Sequence, residues 1–432
     1  MTENWLDDLD CSPEKRAVLA KAHEFVVPGR TERFAKMGVP LVIAKREGYR
    51  LWDQDGHELM DFHLNGGTYS LGHRHPDILT TLHSALETLD IGNHHFPSAA
   101  RADLAEKLAA LTPGDLHYSI FTSSGSEAID VAINSARWFT KRRKIVALEM
   151  GFHGRSGLSG ATGNDSNARF FLSDQPQDFA TVKFDDLEAM EAALSPGDVA
   201  AVIMETIPAT YGFPAPSEGY LPGVKALCEK FGTAYVADEV QTGLGRTGRL
   251  WGVESFGVTP DIMITGKGLS GGLYPVAATV LRRDIGEWLT KNPWGFVSTY
   301  GGSEIGCVVG AKVLDMCSDP ETLRHVDQIS GYLHQGLSEI AAREPFLCEI
   351  RQTGLVIGLR LDAPNGGVAM TRALYREGLW AMFAGFNPSV LQFKPGLLVD
   401  KAFCDEALER FERALLHAKD SQHDDITLAA AE

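Results

Sequence analysis

Short apolar, β-branched runs recur through the middle of the chain: YSIFT at 118–122, KIVALEM at 144–150, VAAVIME at 199–205, TAYVADEV at 233–240 and DIMITG at 261–266. They are continuous rather than alternating, which predicts strands covered on both faces. Between several of them, residues 126–142, 185–195 and 219–231 carry apolar positions at helical spacing. Strands and helices in alternation predict an α/β fold, with a mostly parallel central sheet flanked by helices. Ligands in such sheets sit beyond the carboxyl ends of the strands, so the polar residues that follow each run are the first candidates for chemistry.

The flanks read differently. Residues 1–35 predict a helical lead-in that ends in the turn Val27-Pro28-Gly29. PLVIAKREG and YRLWDQDGHELMDF follow as strand-like runs, the second broken by Asp53-Gln54-Asp55-Gly56. Asp55-Gly56 resembles part of a calcium loop, but the other ligand positions are missing, and a hairpin turn accounts for it. Beyond about residue 318 come a helix over 320–343, the run EIRQTGLVIGLRLD, a helix over 367–377, the strand-like LWAMFAG, the run VLQFKPGLLVD and a helix over 401–419. This predicts a smaller α+β domain. The expected organisation is an N-terminal segment, 1–65, packing with the small domain; a large domain, 66–317; the small domain, 318–419; and a frayed tail, 420–432.

Charge and composition narrow the function. Lys plus Arg number 40 against 57 Asp plus Glu, a formal charge of −17. That balance excludes nucleic acid and anionic membranes as main partners, because phosphate-rich surfaces are bound by a surplus of cations. No apolar run is long enough to span a bilayer, and MTENWLDDLD has no basic, then apolar, secretory pattern. The six cysteines are scattered, without a CxxC pair, which suits a reduced, cytoplasmic protein. His73 and His75 of LGHRHP and the pair His94-His95 lack a carboxylate or thiol at ligand spacing, so no metal site is expected.

Three segments carry candidate chemistry. In TSSGSEAIDVAINSARWF a strand gives way to a Ser/Gly turn and a helix. Free N–H groups there suit an anion, with hydroxyls from Ser123, Ser124 and Ser126; alternatively Ser126 simply caps the helix, with Glu127 set against the dipole. In YVADEVQTGLGRTGR, Asp238 and Glu239 close a strand. The following Gly243-x-Gly245-x-x-Gly248 imitates a dinucleotide fingerprint, but the acidic pair precedes it and Arg-Leu-Trp-Gly follows it, so that reading is set aside. In PDIMITGKGLSGGLYPVAA, Lys267 follows a strand among Gly266, Gly268, Gly271 and Gly272. Burial in a glycine-rich crevice lowers a lysine pKa toward the nucleophilic free amine. An anion cradle, a strand-end aspartate and a crevice lysine together match pyridoxal 5′-phosphate: phosphate, pyridinium nitrogen and aldehyde.

With these motifs in this order, the chain resembles the class III (subgroup II) aminotransferases of the fold-type I pyridoxal-phosphate family over about residues 25–417. The resemblance implies that Lys267 forms the Schiff base and shuttles the proton, while Asp238 pairs with the ring nitrogen. It places Val240 on one ring face, Phe152 of GFHG on the other beside His153, and Gln241 near the ring hydroxyl. Gly125 and Ser126 match the phosphate cradle, and Glu205 the strand-end glutamate. Thr299 of VSTYGG matches a threonine that reaches the phosphate of a neighbouring subunit, which implies a homodimer with shared active sites. The N-terminal half, VPGRTERF through LGHRHPDI, is most similar to glutamate-1-semialdehyde aminomutase.

Departures from the family point to the substrate. Glu205-Thr206 stands for Glu-Pro, the acid that many members carry a few residues on is Thr210, and Gly302-Ser303-Glu304 stands for Gly-Asn-Pro. A family arginine in Leu-Arg-x-x-Pro-Pro is replaced by Gln392 in Leu391-Gln392-Phe393-Lys394-Pro395-Gly396. A bidentate carboxylate clamp is therefore missing there: either Lys394 or an arginine elsewhere substitutes, or the donor lacks an α-carboxylate. The expected reaction is transfer of an amino group from a primary amine or ω-amino acid to a 2-oxo acid. The same framework serves aminomutases, racemases and phospholyases. A silent binding protein on this fold would be expected to lose the lysine, and both Lys267 and Asp238 are present.

Overall fold

The computed structural model describes residues 5–420, so the expected frayed tail lies, from residue 421 on, outside the described residues. A seven-stranded sheet forms the centre, in the order Leu116–Thr122, Ala277–Arg282, Ile262–Thr265, Ala234–Asp238, Val199–Glu205, Lys144–Leu148, Phe179–Val182. From Ile262–Thr265 to Phe179–Val182 neighbouring strands run parallel. Only Ala277–Arg282 is antiparallel to both of its neighbours. The strand Val199–Glu205 is buried along its whole length, as an unbroken apolar run requires.

The helix Gly125–Thr140 covers one face. Its N-cap Ser124 accepts a hydrogen bond from the Glu127 N–H, and its apolar stripe of Ala128, Ile129, Val131 and Ala132 is buried. That stripe belongs to one core cluster with Ile145, Ala201, Ile203, Val236 and Ile264 of the sheet. The opposite sheet face, including Val146, Val202, Met204 and Tyr235, joins the largest core cluster with Tyr220, Leu221 and Val224 of the helix Tyr220–Phe231.

The C-terminal part holds a four-stranded antiparallel sheet, Leu347–Thr353, Val356–Leu361, Asn387–Phe393 and Met382–Ala384. A third sheet joins the two ends of the chain: Leu379–Trp380 runs parallel to Glu58–Asp61, next to the hairpin made with Arg50–Asp53. The turn at Asp53–Gly56 closes that hairpin, with the Asp55 N–H donating to the Asp53 carboxylate.

Three expectations change. Pro28-Gly29 starts a helix, Pro28–Lys36, instead of ending the lead-in; proline at the first helical position has its φ already set and no N–H to lose. LWAMFAG divides, with Leu379–Trp380 in the third sheet and Met382–Ala384 in the C-terminal one. Helices Pro76–Leu86, Ala99–Leu111 and Glu304–Ser318 add to the sequence reading. No described helix is long and apolar enough to cross a membrane.

Candidate active site

Two of the parallel strands end in carboxylates. Glu205 and Asp238 close adjacent strands and are register partners. Lys267 opens a tight turn, Lys267–Ser270, one residue after the next strand's neighbour Gly266. The N-terminus of the helix Gly125–Thr140 and the loop Gly151–Gly154 complete a cavity of about 170 Å3 beyond the strand ends. Gly125, Ser126, Phe152, His153, Glu205 and Asp238 all line it. So do Val240, Gln241 and Lys267. Gly154, not singled out from sequence, also lines it, and the second glycine of GFHG was its available signal.

Asp238 is held on both oxygens. Its Oδ2 lies 2.8 Å from His153 Nδ1, and its Oδ1 accepts from the Val240 N–H at 3.1 Å. The other ring nitrogen of His153 is buried and has no hydrogen-bond partner among the described residues. Glu205 accepts the N–H of Phe152 and the N–H of Ala209, each at 3.0 Å. Burial pushes its carboxyl above the ordinary range, opposed by His153. Through the Phe152 N–H it fixes the loop that brings the aromatic ring to the cavity wall.

Glu239 turns the other way. It is buried and accepts from the Thr206 and Thr242 hydroxyls and from the Gly252 and Val253 N–H groups. Burial raises its carboxyl pKa too. The adjacent acids thus divide, one to the cavity and one to hold the turn Gly252–Phe256. Thr206, where the family has proline, is a donor to Glu239.

Lys267 has a positive φ of 42°, an uncommon state for a side-chain-bearing residue. Burial lowers its amine pKa, while Asp238 and Glu205 act in the opposite sense. Its stem runs close under Gly66, where an added Cβ would lie 3.0 Å from Lys267 Cε. At Gly154, φ is +126° and a Cβ would meet Ser126 Oγ at 2.2 Å, so glycine alone suits that turn. The capping residue is Ser124 and not Ser126. Ser126 instead lies inside the first turn, where N–H groups have no helical acceptor, and it faces the cavity.

The remaining candidates lie apart. Thr299 does not line this cavity; it is exposed, in a segment with exposed Trp294, Val297 and Tyr300. Gln392 and Lys394 lie behind Gln241. Lys394 is wholly enclosed, and its amine donates to Gln392 Oε1 at 2.5 Å and Gln241 Oε1 at 3.3 Å. The expectation that its ammonium itself grips a substrate carboxylate is corrected: the group is fully screened and already engaged. His73 bonds to Asp61 at 2.8 Å, and His75 caps the helix Pro76–Leu86.

These groups fit pyridoxal phosphate. The first turn of Gly125–Thr140 offers N–H groups and the Ser126 hydroxyl to an anion. Asp238, backed by His153, offers a carboxylate to a ring nitrogen. Lys267 offers a buried amine to an aldehyde. A parallel α/β sheet with this donor set at its strand ends defines a pyridoxal-phosphate enzyme of fold type I.

Comparison with known proteins agrees. The aminotransferase class-III family model matches residues 33–415. An uncharacterized aminotransferase of Archaeoglobus fulgidus is 43% identical over 93% of this chain and 94% of its own length. An acetylornithine/succinyldiaminopimelate aminotransferase of Yersinia pestis is 34% identical over 86% of this chain and 92% of its own. The ornithine aminotransferase structure from Toxoplasma gondii, with partial pyridoxal-phosphate occupancy, superposes with a TM-score of 0.86 at 25% identity, covering 97% and 98% of the two chains. The chain belongs to the class-III aminotransferase family, and it is a pyridoxal 5′-phosphate-dependent aminotransferase.

Proposed function

We propose that this enzyme moves an amino group from a primary amine or an ω-amino acid to a 2-oxo acid, with Lys267 as the residue that binds the cofactor covalently. The carrying observation is that Lys267 and the Asp238–His153 pair line one cavity. When bound, pyridoxal phosphate supplies an electron sink for the carbon from which a proton is lost. Asp238 holds a proton on the ring nitrogen, and His153 keeps the carboxylate oriented. Phe152 and Val240 wall the ring. Lys267, with its pKa lowered by burial, takes the proton from the substrate carbon and returns it one atom away. Gly125 and Ser126 hold the phosphate.

The donor class rests on Gln392. An amide at the position of the family arginine offers no bidentate clamp for an α-carboxylate, and its oxygen is occupied by Lys394. A charge-assisted pair contributes about 1.5–3 kcal/mol, roughly ten- to a hundredfold in binding. Amines and ω-amino acids are therefore expected to exceed α-amino acids in kcat/KM, and Gln392→Arg to narrow that gap. A donor panel run against pyruvate and 2-oxoglutarate checks this. The idea fails if α-amino acids are the best donors and Gln392→Arg leaves their rank unchanged.

The same reading includes a cytoplasmic homodimer with shared sites and the division 1–65, 66–317 and 318–419. Six free cysteines support a reducing compartment. The three sheets support the division. The subgroup II assignment, and kinship of the N-terminal half with glutamate-1-semialdehyde aminomutase, rest on the motifs quoted above.

A further inference from the structure

Lys394 is a completely enclosed amine whose hydrogen-bond partners among the described residues are two amide oxygens and no carboxylate. It follows the strand Asn387–Phe393, and its N–H donates to the Phe62 carbonyl at 2.7 Å, so its backbone is pinned. Gln392 lies two residues back, on the same side of the extended chain, and its Oε1 holds the amine from one direction. Gln241 holds it from the other and also lines the cavity.

The Lys394 amine is the donor in both contacts. Gln241 must therefore turn Oε1 to Lys394, which leaves its amide N–H groups for the cavity. Its Oε1 lies beside the Lys267 stem, since both come within 3.7 Å of a Cβ built on Gly66. We infer that Lys394 is a positioning residue: it locks Gln241 so that the amide N–H points to the ring-hydroxyl oxygen of the cofactor. This rests on the reading that Lys267 carries pyridoxal phosphate.

The surroundings are mostly cationic. Burial, then Arg246 from the glycine-rich loop and Lys267, push the Lys394 amine well below its ordinary pKa, with Asp61 opposing. Asp61 is committed to His73 and to the His63 and Leu64 N–H groups. His63 is also held low by burial, then by Lys394 and Lys267. Facing the Lys267 amine, the acids are Asp238 and Glu205. An N–H donated to the ring oxygen withdraws electron density from the bond between cofactor and Lys267. That lowers the proton affinity of the nitrogen in it. Loss of Lys394 should raise that affinity.

The experiment is a pH titration of the visible absorbance of the holoenzyme. Lys394→Met is expected to raise the midpoint by about one pH unit, a tenfold change in proton affinity. In a Gln241→Met background the same substitution should move it far less, because both act through one contact. A merely structural Lys394 would lower the melting temperature and leave the midpoint in place, which overturns the inference. A full shift that persists without Gln241 also overturns it. If Lys394→Met does not fold, Lys394→Leu is read the same way, and Gln241→Met alone must raise the midpoint. A wild-type midpoint in Gln241→Met overturns the inference by itself. Failure of the underlying reading looks different: the visible band would survive in Lys267→Ala.

Discussion

Lys267 combines a buried amine, a positive φ and two acids opposing its lowered pKa. One side chain is assigned both the covalent link and the proton transfer, so Lys267→Ala should lose the cofactor's visible band and at least about a thousandfold in turnover. Retention of the band, or of more than a few per cent of the rate, would refute the assignment. Asp238→Asn is subtler. The amide can keep one contact with His153 but cannot hold a proton on the ring nitrogen. Turnover should fall about a hundredfold or more while cofactor stays bound, and a primary isotope effect on the donor carbon should emerge or grow. A wild-type rate with cofactor bound would argue against the pairing.

Among the elements, the contact between the N-terminal hairpin and the last helix is testable apart from catalysis. Arg50 of the strand Arg50–Asp53 bonds to Glu406 of the helix Lys401–Asp420 at 2.5 Å, and Arg410 bonds to the same carboxylate at 2.6 Å. The Arg50 hydrogen bond holds the Glu406 carboxyl below its ordinary pKa. A depressed carboxylate stabilises the fold fully above its unfolded pKa and loses that contribution as pH falls through the folded value. The groups are about one-third exposed, so screening limits the effect. Glu406→Gln should cost about 0.5–1 kcal/mol at pH 7 and clearly less at pH 3. Urea unfolding at both pH values checks this; an equal loss at each would assign the effect to packing instead of charge.

At the scale of the whole molecule, Thr299 stands outside the cavity of its own chain, in a surface that exposes Trp294, Val297, Tyr300 and Phe96. The His95 ring touches Trp294, which joins the two segments. Large apolar side chains exposed together suit a contact with a second chain. If a second copy covers it, Thr299 serves the partner's cavity. A Lys267→Ala chain mixed with a Thr299→Ala chain then gives hybrids with one doubly damaged site and one intact site. Activity recovered on mixing supports sharing. No recovery, with each lesion confined to its own chain, argues for sites built within single chains.

The central strands, the helix after TSSG and the lysine loop were legible in the sequence because each is local: an unbroken apolar run, a Ser/Gly turn, a lysine among glycines. Asp238 and Lys267 were likewise marked by their places at strand ends. The resemblance named Asp238 over Glu239, but only the tertiary structure supplies the reason: alternate residues of a strand point to opposite faces, and register and packing turn Glu239 to the loop Gly252–Phe256. It also decided that Ala277–Arg282 enters the sheet antiparallel, since a buried strand has the same composition in either direction. Lys394 shows the limit most plainly. Its spacing from Gln392 could be read along the chain, but its enclosure depends on Phe62, Phe213 and Gln241, which are distant in sequence and meet it only when the sheets pack.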